Sequence, residues 1–145
     1  MTTSDYFNDV QQAIYSRRSL QKHMADLDDQ MTSSGGFNYS PDKVQTSPRP
    51  QEERLCNMID IKRAYEDRIV HLSKVILEAE DRLAHLSRAE YSEILRKLYM
   101  EDRRLTYFEI GQAMGYGEDW VKKTVTDASK EFEERWLNDN NNNQQ

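Results

Sequence analysis

Between residues 4 and 31, apolar or part-apolar side chains recur at alternating intervals of three and four: Tyr6, Val10, Ala13, Leu20, Met24, Leu27 and Met31. That spacing gathers them on one helical face and matches a coiled-coil seam. Arg17 interrupts the seam, and Ser4 is the expected N-cap. The first helical segment is therefore 1–31. The pattern then stops. SSGGFNYSPDKVQTSPRPQ holds Gly35 and Gly36 side by side and all three prolines, Pro41, Pro48 and Pro50. Glycine frees the backbone and proline blocks helix continuation, so 32–51 reads as a linker loop. Phe37, Tyr39 and Val44 are available to pin it onto the helices.

Residues 52–87 carry the strongest periodic signal. One seam position holds Leu55, Lys62, Ile69, Ile76 and Leu83; the other holds Met58, Tyr65, Leu72, Ala79 and Leu86. Lys62 alone breaks the stripe. About five heptads at ~1.5 Å per residue predict a rod of about 55 Å, too long to bury its seam in a small globule. The rod needs the first helix folded back on it as an antiparallel hairpin, a second copy of itself, or both. Leu55, Met58, Tyr65, Ile69, Leu72, Ile76, Leu83 and Leu86 are thus the expected oligomerisation residues.

From 88 to 137 the periods shorten. Ser87 and Glu90 fit a capping box, predicting a helix from Arg88 with Tyr91, Ile94, Leu95 and Leu98 on its inner face. Asp102, Arg103 and Arg104 form a polar break. Thr106 and Glu109 fit a second capping box, whose helix turns Ile110 and Met114 inward. Gly111 leaves room for a close helix crossing, and Gly115 supplies the left-handed residue that ends the helix. Tyr116 is expected to be buried in the turn. A last helix runs from Glu118 to about Trp136 with Val121, Val125, Ala128 and Phe132 inside. Two helices crossing steeply at a glycine turn are what this spacing requires. The closing NDNNNNQQ, 138–145, reads as a disordered tail.

Composition supports an all-helical reading. Charged residues make up 32% of the 145, hydrophobic residues 37%, and only five glycines and three prolines are present. Mean hydropathy is -0.97, which suits long two-faced helices with much solvated surface. The formal charge of -6 rules out a globally basic nucleic-acid binder, so any DNA contact must come from local geometry. The lone Cys56 has no intrachain partner and fits a reducing cytoplasm. The start MTTSDYFNDV is unlike a signal peptide, and no apolar run is long enough to span a membrane. His71 and His85 lie two heptads apart, ~21 Å along a helix, too far to share one metal. No phosphate loop, metal spacing or nucleophile with a placed base is present. Neither an enzyme, a cofactor nor a small-molecule substrate is therefore expected.

LTYFEIGQAMGYGEDWVKKTVTDA resembles the fourth conserved region of bacterial sigma factors, and the preceding EILRKLYMEDRR resembles the helix before that motif. Upstream, GFNYSPDKVQTSPRPQEERLCNMIDIKRAYEDRI is similar to the middle of small phage-encoded proteins of the ArpU and RinA type. The resemblance covers roughly residues 37–135, with the C-terminal motif its specific part. It implies a helical hairpin or coiled coil followed by a sigma region 4-like helix-turn-helix domain. The implied function is late-gene activation in a phage or prophage, within the bacterial cytoplasm. The implied base-reading positions are Gly117, Glu118, Asp119, Lys122, Lys123 and Thr126. Arg103, Arg104, Thr106 and Tyr107 lie where DNA backbone contacts would be made.

The departures define the alternatives. Sigma factors usually carry arginines where this chain has Glu118 and Asp119. From Arg104 onward, five basic residues face eight acidic ones. A carboxylate at a helix N-terminus complements the dipole, and one acid in the groove can accept from a cytosine amino group. So few cations predict weak binding by one copy and stronger binding by several on adjacent sites. Three readings follow: an oligomeric regulator that binds double-stranded DNA; a small terminase subunit-like DNA-binding oligomer; or a helical adaptor without DNA binding, docked on RNA polymerase or a host regulator.

Overall fold

The computed structural model describes residues 1–33 and 49–138. The described residues form helices, with no strand among them. The α-helices are, in order, α1 Thr3–Ser33, α2 Arg49–Ala84, α3 Ala89–Tyr99, α4 Tyr107–Met114 and α5 Glu118–Phe132. A π-helical turn, Glu133–Leu137, closes the series. Most of the expected linker, with Phe37, Tyr39 and Val44, and the Asn/Gln tail beyond Asn138 lie outside the described residues. The two long helices extend past the expected linker boundaries, to Ser33 on one side and back to Arg49 on the other. Pro50 is accommodated because it occupies the first turn of α2, where no intrahelical N–H bond is required. No described helix is long and apolar enough to cross a membrane.

The chain divides into two compact units: Met1–Ile14 with the residues from Lys74 onward, and Tyr15–Ser73. In the first unit, the core of the C-terminal helices takes in the start of α1. Phe7 is fully buried, stacked on Tyr99 of α3 with ring centroids 4.7 Å apart and planes 4° from parallel. Its ring also lies 5.1 Å from that of Phe132 on α5. Tyr6 flanks the pair and carries the Arg82 guanidinium 5.2 Å above its ring. Val10, Ala79, Leu83, Leu86, Ile94, Leu95, Ile110, Val121 and Ala128 belong to the same core.

Polar bonds pin the same end. Thr3 is 1% exposed; its Oγ1 donates to the Ser129 carbonyl at 2.9 Å, and its N–H donates to Glu133 Oε1 at 2.9 Å. The N-cap of α1 is Thr2, not Ser4. Asp5 N–H donates to Thr2 Oγ1 at 3.1 Å, and Thr2 N–H donates back to Asp5 Oδ2 at 3.2 Å. This reciprocal cap satisfies donors that the first helical turn leaves unpaired. The Ser87–Glu90 box is likewise replaced. The N-cap of α3 is Arg88 without a side-chain bond, and Ser87 N–H donates to Glu131 Oε2 on α5 at 3.0 Å. A carboxylate 44 residues away does what a local one was expected to do.

In the second unit, α1 and α2 run antiparallel. Arg17 Nη1 donates to Ser73 Oγ at 3.3 Å, the His23 and Tyr65 rings lie 6.4 Å apart, and Lys62 Nζ sits 3.0 Å from Asp28 Oδ1. Residue numbers rise along α1 as they fall along α2. The two breaks in the apolar seams, Arg17 and Lys62, are residues that bond across the hairpin. Asp28 accordingly holds the Lys62 ammonium above its ordinary pKa, by hydrogen bond first and charge second. Polar groups at seam positions select one register among several apolar ones. Leu55, Met58, Tyr65 and Ile69 are half-buried, whereas Leu72 and Ile76 are buried within the single chain. Leu83 and Leu86 belong to the core described above.

Phe7→Ala should cost about 3 kcal/mol or more, the usual range for emptying a buried aromatic site. Urea unfolding followed by tryptophan fluorescence reads this through Trp120 and Trp136. An unchanged midpoint would show that α1 is not part of the core.

Candidate nucleic-acid interface

The expected capping box at the start of α4 is present. Glu109 N–H donates to Thr106 Oγ1 at 3.2 Å, and Thr106 N–H donates to Glu109 Oε1 at 3.3 Å. Arg103 closes an ion pair on the other Glu109 oxygen. The Thr106 backbone bond leads in holding the Glu109 carboxyl below its ordinary value, and Arg103 adds to it against an opposing desolvation. Ile110 is fully buried. Gly115 ends the helix at φ 82° and ψ 28°, the left-handed conformation expected of it.

Gly111 sets how closely the two helices approach. A Cβ there would stand 2.6 Å from the Tyr116 carbonyl oxygen and 3.3 Å from Val121 Cγ2. The missing side chain also lets Tyr116 N–H reach the Gly111 carbonyl at 2.8 Å. Tyr116 itself is not buried. It is 47% exposed and stacks on Trp120, with centroids 3.7 Å apart and planes at 15°. The tight turn is filled by backbone, so the Tyr116 ring is displaced outward.

α5 packs on α3 and α4 through Val121, Thr124, Val125, Ala128 and Phe132. The opposite face is solvent-exposed and carries Asp119, Lys122, Lys123, Thr126 and Lys130. Lys130 is the addition. It follows Lys123 by seven residues and Thr126 by four, so helical periodicity alone would have found it. Gly117 caps α5 without a side-chain bond, and Glu118 and Asp119 lie in the first turn, where their charge complements the helix dipole.

The expected DNA-contacting cations are unequal. Lys122 Nζ lies 3.9 Å from Glu118 Oε1, one turn back, and Arg103 is committed to Glu109. Lys123 borders a small cavity of about 160 Å³ beside Tyr91, Trp120 and Asp127. Thr126 Oγ1 donates to the Lys122 carbonyl at 3.0 Å, so its hydroxyl proton is used within the helix. Arg104, Thr106 and Tyr107 come together along a groove of about 650 Å³, with Tyr99 in its wall. Burial raises the Tyr99 phenol above its ordinary value. Among the described residues, no group of three or more His, Cys, Asp or Glu is placed to hold a metal ion. No family model, curated protein or solved structure matches this chain.

Gly111→Ala should destabilise the protein by about 1–3 kcal/mol, because backbone must move to admit the Cβ; a chemical denaturation curve matching the parent would contradict this. The Glu109 contribution has a defined sign. Its folded pKa is depressed, so its stabilisation is complete above the unfolded carboxyl value and is lost as pH falls through the folded one. Glu109→Gln should flatten that part of the acid-side decline in thermal midpoint. Identical acid limbs for the two proteins would count against the cap.

Proposed function

We propose that this chain is a sequence-specific DNA-binding regulator of phage or prophage origin, a late-gene activator that works as an oligomer and not as an enzyme. The observation that carries this reading is the α4–α5 pair. It is a capped helix, a left-handed glycine turn closed on a glycine, and a second helix with an exposed polar face. A sigma region 4-like helix-turn-helix uses such a pair to lay its second helix in the major groove of double-stranded DNA. In this reading Lys122, Lys123 and Lys130 neutralise phosphates, while Asp119 and Thr126 border base edges. Glu118 lowers the worth of Lys122, so one copy binds weakly and two or more hold DNA together. The antiparallel hairpin belongs to a coiled-coil arm. Ile61 and Val70 flank its inner seam on opposite sides, 43% and 55% exposed, and offer apolar contacts to a second copy.

The adaptor reading, with RNA polymerase or a host regulator as partner, is favoured by one feature. Phe108 on α4 and Tyr116 in the turn are 57% and 47% exposed, beside an acidic helix start. Exposed aromatics suit a protein interface better than a phosphate track. The two readings separate in one experiment. Lys122→Ala with Lys123→Ala should weaken binding to duplex DNA and lower its salt slope by up to about two. The adaptor reading expects no binding by the parent protein and unaltered capture of polymerase by the double variant. Light scattering on the unaltered protein addresses the oligomer, and a monomer at all concentrations sinks that part of the proposal.

A further inference from the structure

Asn8 and Gln11, on the polar face at the start of α1, enter none of the contacts assigned above. With Ser4 they follow one another at helical spacing and line the groove that also carries Arg104, Thr106 and Tyr107. The groove stands out for its charge. The chain holds 26 acidic residues against 20 Lys and Arg, yet none of the residues lining the groove is acidic and Arg104 is the charged one among them. The Glu109 carboxylate at its edge is taken up by Thr106 and Arg103. Asp5, on a neighbouring position of the same helix, is held away in the Thr2 cap. The polar lining is one guanidinium among amides and hydroxyls. Asparagine, glutamine, serine, threonine and tyrosine are the neutral side chains that proteins commonly direct at phosphate oxygens, alongside arginine.

We propose that this groove seats the phosphate backbone of DNA, with Asn8 and Gln11 of α1 donating to phosphate oxygens next to Arg104. The inference rests on the DNA-binding reading and extends it to residues at the opposite end of the sequence. It has a physical consequence for a protein with so few cations. Neutral donors strengthen binding without releasing counterions, so they contribute affinity that salt does not erode. Phe7 and Thr3 secure the first turns of α1 in the core, so the amides are presented from a fixed helix and little ordering entropy is lost on contact.

The test compares three proteins on a short random-sequence duplex over a range of salt. Asn8→Ala with Gln11→Ala should lower affinity about tenfold and leave the salt slope unchanged, as expected for two neutral hydrogen bonds. Gln11→Lys should raise affinity and steepen the slope by about one. Matching circular dichroism and unfolding midpoints exclude a folding defect. Equal affinity in the double variant, with an unaltered slope in Gln11→Lys, overturns the proposal while leaving the helix-turn-helix reading standing. If the unaltered protein binds no duplex even at low salt, both fall together. Inorganic phosphate provides the other arm. Calorimetric binding of free phosphate that the double variant abolishes, with DNA affinity untouched, would assign the groove to a small anion and overturn the proposal.

Discussion

The packing of Phe7 against the aromatic rings of α3 and α5 is the contact on which the C-terminal unit depends. Helices α3, α4 and α5 are short, 11, 8 and 15 residues, and helices of that length are marginal alone. They gain stability by burying one face each. Three short helices leave one side of their common core open, and it is closed by Phe7 and Val10 from the first turns of α1 together with Ala79, Leu83 and Leu86 from the end of α2 and the turn after it. The aromatic group of Tyr6, Phe7, Tyr99, Phe132 and Trp136 draws on α1, α3, α5 and the closing π-helical turn. Thr3 and Glu133 then remove the polar cost of bringing a helix N-terminus against α5.

Partner choice also governs the hairpin. Each long helix carries a polar break in its seam, Arg17 or Lys62, and each break bonds across to the other helix. An uninterrupted apolar seam would tolerate slippage by a heptad, because every position offers similar burial. One charged group on each helix with a fixed partner makes the shifted registers unfavourable. The exposed pair of Lys62 and Asp28 adds little stability by itself, since solvent screens it. Its effect is on which pairing is chosen.

The electrostatics of α5 follow from a compromise at its first turn. Gly117 provides no side-chain acceptor, so Glu118 and Asp119 supply the negative charge that the helix N-terminus favours. That choice draws Lys122 toward Glu118 and leaves Lys123 and Lys130 as the cations further along the exposed face. For the proposed DNA-binding role, stabilising the helix and attracting phosphate pull in opposite directions within one turn. Neutral donors brought in from another element are one way to relieve that conflict.

Local rules were enough to read much of this from the chain. The Thr106–Glu109 cap, the left-handed Gly115, the close approach at Gly111 and the inner face of α5 each depend on residues within a turn or two of one another. The all-helical composition and the seam of α1 and α2 rest on periodicity, which is also local. What the sequence could not decide was which of several equally legitimate partners each group would take. Ser4 and Ser87 have the chemistry of helix caps, yet Thr2 caps α1 and Glu131 on α5 serves Ser87. Phe7 lies next to the seam position Tyr6, and nothing in the spacing favours the one over the other as the core residue. Tyr116 has the character of a core side chain and is turned outward because Gly111 draws its backbone in. These outcomes are settled by distant surfaces competing for the same side chain, and only the packed chain brings those surfaces together.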